Sequence, residues 1–280
     1  MSVWEAPAKV NLSLEVGPRE ATGLHPLHSL VLCVDWTDVL HFEESEEDHL
    51  QIVGADLPDD GENLIWAAVS AIRPGDRPQL RITLEKSIAI AAGLGGGSSD
   101  AAATLAAVAD LMGRDEEAIR TAAAEVGADV ALFLRGGLQW MEGNGERLTR
   151  EKTLPDFFMA IAVPPFEMET ARVYERWDEL DQPRGPEVEG RRLPPSLRSL
   201  GPLRNDLTPA AISLQPELAD FMAELTNTWE QPAMMSGSGP ALFALFPDLS
   251  EATDAAVSAP ASCRHRIAAT PRSSGVERLE

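Results

Sequence analysis

Three separated stretches of the chain carry residue types suited to chemistry on a charged small molecule. The densest is residues 93–102, G-L-G-G-G-S-S-D-A-A, with four glycines in its first five positions and two serines behind them. Glycine has no Cβ, so the backbone there can take φ > 0 and come close to a ligand. The first N–H groups of a helix that follows, and the positive end of its dipole, then face whatever anion arrives. A flexible capped turn would share this composition, but the glycine density and the paired serines favour a phosphate site. The two familiar phosphate loops do not match. A Walker loop needs Lys and then Ser or Thr after its last glycine, where this chain has Ser98 and Ser99, and a dinucleotide fingerprint needs its third glycine at Ser98. The loop points to a kinase-like nucleotide site of another kind, with Ser98, Ser99 and Asp100 expected to cap the helix through their side-chain oxygens.

The second stretch is residues 6–16, A-P-A-K-V-N-L-S-L-E-V, in which Val10, Leu12, Leu14 and Val16 alternate with Lys9, Asn11, Ser13 and Glu15. That period of two describes a strand with one apolar face and places Lys9 and Asn11 together on the other, ~7 Å apart. Taken alone, Lys9 also fits a solvated lysine near a terminus. The third stretch is G-A-D-V-A-L-F-L from Gly127, where Asp129 stands directly before Val130, Leu132, Phe133 and Leu134. Such an acid is either a helix N-cap or a partly buried carboxylate with a task. A second glycine turn, M-S-G-S-G-P at 235–240, leads into an apolar strand and leaves room for a ligand. His25 and His28, three residues apart, make a poor metal pair and read as surface or hydrogen-bonded histidines.

These residues need elements to hold them. Leu80, Ile82 and Leu84 alternate with Arg81, Thr83 and Glu85, a half-buried strand ahead of the glycines. After the glycines, Leu105, Val108, Leu111 and Met112 recur at helical spacing up to Gly113. Residues 24–40 carry an apolar pattern broken by Asp35, Thr37 and Asp38, and the acidic run 43–49 reads as a solvated loop or hairpin tip. Helices are expected over 63–72, closed by Pro74 and Gly75, from Asp115 to Gly127, and over 170–180, 216–229 and 250–258. Strands are expected over 157–163, 241–246 and 266–270, with an irregular surface loop at 182–202 and a frayed tail from Pro271.

The whole chain narrows the function further. Its 280 residues suit one large or two ordinary domains, and 44% hydrophobic residues support a sizeable core. No run approaches a membrane span and the opening has no secretory pattern, so a cytoplasmic protein is expected. Cys33 and Cys263 stand far apart, outside metal-ligand spacing, and read as reduced structural thiols. A formal charge of −22 argues against nucleic acid or an anionic membrane surface as partner. A small polyanion needs only a local positive pocket, and lysine is confined to Lys9, Lys86 and Lys152.

P-A-K-V-N-L from Pro7, G-L-G-G-G-S-S-D-A-A from Gly93 and S-G-S-G-P from Ser236 occur in that order. Together they resemble the GHMP kinase superfamily, whose members phosphorylate galactose, homoserine, mevalonate and related alcohols. The trailing G-N-G-E at 143–146 and N-D-L from Asn205 place the likeness nearest the branch acting on a cytidine-diphosphate-linked sugar alcohol. The resemblance implies an α+β fold of two lobes, residues 1–152 ribosomal-protein-S5-like and ATP-binding, residues 153–280 ferredoxin-like, with the site in the cleft between them. It implies transfer of the γ-phosphoryl of ATP, bridged by Mg²⁺, to an alcohol. By the same likeness Ala89, Ile90, Ala91, Ala92, Gly93, Leu94, Gly95, Gly96, Gly97, Ser98 and Ser99 wrap the phosphates. Asp129 takes the hydroxyl proton, Lys9 stabilises the alkoxide, and Asn11 contacts the sugar alcohol. Thr170, Tyr174 and His25 belong to the base pocket, Tyr174 stacking and His25 at the edge. Two positions depart from the pattern: Leu24 stands where a stacking tyrosine is usual, and Ala89 where proline is usual. A kinase of another small alcohol, or a nucleotide-binding relative without turnover, remains open on these residues. Retention of both Lys9 and Asp129 speaks against the second.

Overall fold

The long first strand sets the frame. A computed structural model describes residues 1–73, 75, 79–154 and 156–280. Strand β1 (Ser2–Val16) runs antiparallel to β2 (Leu27–Ser45) over its whole length. The other elements of this half are β3 (His49–Val53), α1 (Leu64–Ile72), β4 (Gln79–Glu85), α2 (Gly96–Met112), α3 (Glu116–Val126), α4 (Val130–Arg135), β5 (Leu138–Gly143) and β6 (Arg147–Arg150). The second half holds β7 (Phe158–Val163), α5 (Thr170–Glu179), α6 (Thr208–Leu214), α7 (Glu217–Trp229), β8 (Met234–Met235), β9 (Leu242–Phe246), α8 (Leu249–Ser258), β10 (His265–Ala269) and β11 (Glu277–Arg278). Among the described residues the first sheet has the order β11-β1-β2-β4-β3, with β5 on β2 and β6 on β5, and the second is β10-β7-β9-β8.

Three apolar layers follow from strand alternation. Helices α1 to α3 bury Ile65, Val69, Leu105, Val108 and Ala122 against one face of the first sheet, with Val31, Leu40, Ile82 and Leu84. The opposite face, through Val10, Leu12, Leu30 and Leu32, meets Met159, Ile161 and Phe243 of the second sheet. Helices α5 to α8 close the far side with Val173, Trp177, Leu218, Leu225 and Trp229. Each fully buried Leu or Ile contributes ~1.5–3 kcal/mol, so these interfaces, more than helix propensity, hold the elements in place.

A register shift between Pro7 and Ala8 matters for the site. Ala6 packs into the helical layer, whereas Ala8, Val10 and Leu12 face the second sheet. The bulge therefore turns Lys9 and Asn11 toward α2 and the glycine loop, and both are buried rather than solvated. Strands and helices otherwise follow the sequence periodicity, and Asn63 and Asp115 cap α1 and α3 with their side chains. Pro74, expected to end α1, lies outside the described residues.

Three expectations are corrected. Helix α2 begins at Gly96 with left-handed Gly95 as its N-cap and no side-chain cap, so Ser98, Ser99 and Asp100 lie inside its first turns. The acidic run at 43–49 is only partly a solvated loop: Glu43 and Glu44 sit in β2 and His49 opens β3, while Glu46, Glu47 and Asp48 form the exposed connection between them. The tail is docked, not frayed. Glu277 and Arg278 pair with Glu5 and Trp4 of β1, Arg272 binds Glu5 at 2.6 Å, and Arg278 binds Asp110 at 2.6 Å. Gly275 sits against Phe133 so closely that a Cβ would overlap its carbonyl. A short polar segment gives no periodic signal, and its order comes from this tertiary pairing. Deleting residues 271–280 should expose the β1 edge and lower Tm by several degrees, read by thermal denaturation; an unchanged Tm would contradict the docking.

Candidate active site

The loop between β4 and α2 is a strand-to-helix junction whose conformation depends on glycine at two points. Gly93 has φ +75° and Gly95 φ +71°. A Cβ on Gly93 would collide with the Ser236 carbonyl and lie 3.1 Å from Gly239 N, and one on Gly95 would lie 2.7 Å from Phe133. Ala91, at φ +49°, takes the left-handed region without being glycine, a strained residue beside a ligand loop. The Ser99 N–H donates to the Gly95 carbonyl at 2.9 Å, the first intrahelical bond. The N–H groups of Gly96, Gly97 and Ser98 therefore remain for an anion at the positive end of a 17-residue helix.

Two other segments lock this loop. The Lys9 N–H donates to the Leu94 carbonyl at 2.9 Å, tying it to β1. From the second glycine turn, Ser236 Oγ donates to the Gly93 carbonyl at 3.0 Å and accepts the Asn11 N–H at 3.1 Å. Asn205 in turn donates to the Met235 and Gly237 carbonyls at 2.8 and 2.7 Å, which shapes that turn.

Between these loops lies a cleft of about 470 Å³ lined by Lys9, Asn11, residues 89–98, Asp129, Thr170 and Tyr174. Lys9 Nζ donates to Asn11 Oδ1, and the Asn11 amide donates to Ser29 Oγ at 2.8 Å, so the asparagine is oriented and holds the ammonium in place. Burial pulls the Lys9 pKa down, opposed by the negative charge of Asp129. Asp129 occupies the N-cap position of α4 with helical dihedrals but caps nothing with its side chain, leaving the carboxylate to the cleft. Burial raises the Tyr174 phenol, and Asp129 adds to the rise, so one carboxylate acts electrostatically on both Lys9 and Tyr174.

The remaining expected site residues divide. Thr170, at the start of α5, shares a 2.9 Å hydrogen bond with Ser238 and faces the cleft with Tyr174. His25 lies behind Tyr174, stacked on it at 5.1 Å between centroids, with Nε2 3.1 Å from Asp178. His28 goes elsewhere, stacked on Trp140 at 4.5 Å. Ser99 is fully buried and its Oγ has no partner. A larger cavity of about 700 Å³, lined by Asn205, Arg191, Arg192 and Met222, lacks a glycine loop and both groups of the Lys9–Asp129 pair.

One buried charge cluster at the cleft has no counterpart among the expected site residues. Lys86, after β4, donates to Asp38 of β2 and, at 2.8 Å, to Asp100 of α2, all three side chains being 4% exposed or less. Asp38 also accepts the Ser87 and Ile88 N–H groups at 2.6 and 2.8 Å, fixing the start of the loop. The available signals were a lysine in a chain with three and an acid interrupting an apolar strand.

Comparison with known proteins places this geometry. The pattern described as GHMP kinases N terminal domain matches residues 63–137, and that described as GHMP kinases C terminal matches residues 192–265. The 4-diphosphocytidyl-2-C-methyl-D-erythritol kinase of Carboxydothermus hydrogenoformans is 34% identical over 89% of this chain and 90% of its own. That of Geobacter sulfurreducens is 35% identical over 94% of each. The chain belongs to this kinase family. A crystal structure of 4-(cytidine 5'-diphospho)-2C-methyl-D-erythritol kinase superposes with a TM-score of 0.78 at 34% identity, covering 95% of this chain and 98% of its own. Homoserine kinase from Cytophaga hutchinsonii, at 18% identity and TM-score 0.70, shares the fold.

As a GHMP kinase the protein is an ATP-dependent small-molecule kinase with an α+β fold. In this member of the 4-diphosphocytidyl-2-C-methyl-D-erythritol kinase family Leu24 is 56% exposed, leaving Tyr174 as the aromatic that faces the cleft. Gly93→Ala introduces both a left-handed alanine and a clash with the Ser236 carbonyl, and should cost ~2 kcal/mol or more. Denaturant unfolding with a parallel KM for ATP checks this, and a variant equal to the parent in both would remove the argument for a locked loop.

Proposed function

We propose that the cleft catalyses transfer of the γ-phosphoryl of ATP to the 2-hydroxyl of 4-diphosphocytidyl-2-C-methyl-D-erythritol, in the cytoplasm, as a step of non-mevalonate isoprenoid precursor synthesis. The observation that carries this reading is that Lys9 and Asp129, far apart in sequence, open on the same cleft as the N–H groups of Gly96, Gly97 and Ser98. Family membership supplies the acceptor, since the relatives bear its name.

In this scheme the triphosphate lies along residues 89–98 with its terminal phosphoryl toward Lys9. The acceptor hydroxyl sits between the Lys9 ammonium and the Asp129 carboxylate. Asp129 takes the hydroxyl proton, the oxygen forms a bond to the γ-phosphorus, the bond from that phosphorus to the β,γ-bridging oxygen breaks, and ADP leaves. Phosphoryl transfer through a loose transition state asks for positioning and charge compensation more than covalent help. Lys9 supplies that compensation at the incoming oxygen, and Asn11 orients it. Mg²⁺ would arrive with the nucleotide and would offset part of the phosphate charge. Asp38 and Asp100 share the Lys86 ammonium, and no protein ligand is assigned to the ion. Tyr174 stacks the cytosine from one side, with Thr170 beside it and His25 buttressing the ring from behind. The division of labour follows the two halves: residues 1–152 hold ATP, and residues 153–280 supply the base-stacking wall.

Asp129→Asn should lower kcat by ~10²–10⁴ while leaving nucleotide affinity nearly intact, because a positioned base acts on the chemical step. A coupled ADP-release assay measures it, and parental turnover in the variant would end the assignment. Tyr174→Ala should raise the KM for the cytidine-linked substrate and spare that for ATP. The same assay run across cytidine-linked and free alcohols tests the acceptor: equal rates on mevalonate or homoserine would replace it.

A further inference from the structure

The cluster beneath the phosphate loop does work that the reaction scheme leaves unexplained. It holds one ammonium, Lys86, and two carboxylates, Asp38 and Asp100, with none of the three side chains more than 4% exposed. Both oxygens of Asp38 have partners, Lys86 at Oδ2 and two backbone N–H groups at Oδ1. Asp100 differs: its Oδ2 accepts from Lys86 at 2.8 Å, whereas its buried Oδ1 has no hydrogen-bond partner. The cluster also touches the loop directly. Lys86 Nζ lies 2.8 Å from where a Cβ of Gly96 would stand, and both Lys86 and Asp100 border the nucleotide cleft.

We propose that Asp100 is a positioning residue of the phosphate loop that takes up a proton as the triphosphate binds, so that the buried cluster is neutral when ATP is bound. This rests on the kinase reading above. Two carboxylates on one ammonium leave a surplus negative charge in a low-dielectric site, which is costly, and a proton on one acid removes it. Burial accordingly pushes the Asp100 carboxyl up to about 7, with Lys86 opposing and the Asp38 charge adding. A triphosphate arriving at the Gly96, Gly97 and Ser98 N–H groups brings more negative charge next to the cluster and drives the acid further toward its protonated form. By linkage, nucleotide affinity is highest where Asp100 is protonated and falls as pH rises through its range.

Other elements packed on α2 meet it largely through apolar groups, α3 with Ala122 and Ala123 and α4 with Val130 and Phe133. Helix α1 meets α2 with Ile65, Ala68 and Val69, all apolar, and Glu62 ahead of it borders the cleft. From β1, Lys9 lies across Gly95, its Cγ 3.0 Å from that glycine's Cβ position, with Asp129 beyond it. Lys9 can also gain a proton when ATP binds, so the test must separate the two.

Asp100→Asn does so, because it imitates the protonated acid and keeps Lys9. Titration of the full-length protein with Mg²⁺ and a non-hydrolysable ATP analogue, in buffers of different ionisation enthalpy at pH 7.5, counts the protons taken up. Wild type should take up more than the variant. Its KM for ATP should rise by up to ~10-fold per pH unit above neutrality, against less than about twofold in Asp100→Asn, with the acceptor KM unmoved in both. Equal proton uptake, or equal pH slopes, would overturn the proposal, since a merely structural acid would shift Tm and both KM values together. Failure of wild type to bind the analogue would overturn the kinase reading, and this inference with it. Should the variant not fold, carboxyl ¹³C resonances of aspartate-labelled wild type give the answer. An acid titrating near neutrality that stays protonated with the analogue bound supports the proposal, and one ionised in both states refutes it.

Discussion

The Ser236 hydroxyl joins three distant parts of the chain at a single point. It donates to the Gly93 carbonyl in the first glycine loop and accepts the Asn11 N–H of β1, while belonging itself to the second glycine turn. A buried hydrogen bond contributes ~0.5–1.5 kcal/mol, and leaving either partner unsatisfied costs ~1–3 kcal/mol, so the junction tolerates little displacement. Three parts of the cleft wall are referenced to it. Lys9 is two residues from Asn11 on the same strand face, Gly93 sets the path of the phosphate loop, and Gly237 lies close to both Lys9 and Asn11. Two sheets that share an apolar interface are thereby also keyed to one another through polar groups at the cleft.

Charge is arranged as tightly as shape. The chain carries a formal charge of −22 and has three lysines, yet Lys9 and Lys86 are both buried at the cleft. Burying an ammonium is costly unless it is paired, and each has partners: Asn11 and the field of Asp129 for Lys9, two carboxylates for Lys86. A long helix points its positive end into the same space, so helix N–H groups and the Lys9 ammonium offset the acids Glu62, Asp100 and Asp129 that also line the cleft. The burial that lowers the Lys9 pKa also keeps whatever charge it carries from being screened by water.

Much of this was legible in the residues because it rests on local periodicity and local chemistry. The alternation of Val10, Leu12 and Leu14 defines β1, the spacing of Leu105 and Val108 defines α2, and Gly113 ends it in a left-handed C-cap. What escaped depends on contacts remote in sequence. The start of α2 passes to Gly95 because the loop, locked by Ser236 and Phe133, needs φ > 0 there, which leaves the serines nothing to cap. The tail at 271–280 is ordered by ion pairs with Glu5 and Asp110 that no window of its own sequence contains. Asp38 and Lys86 are 48 residues apart, and neither looks unusual until the fold pairs them and sets Lys86 against Gly96.

The most direct measurement is a crystal structure with Mg²⁺, a non-hydrolysable ATP analogue and the cytidine-linked acceptor bound together. The account requires the acceptor hydroxyl between Lys9 Nζ and the Asp129 carboxylate, ~3–3.5 Å from the γ-phosphorus, with phosphate oxygens on the Gly96, Gly97 and Ser98 N–H groups. A triphosphate lodged away from these groups, or an acceptor oxygen that touches neither Lys9 nor Asp129, would contradict it.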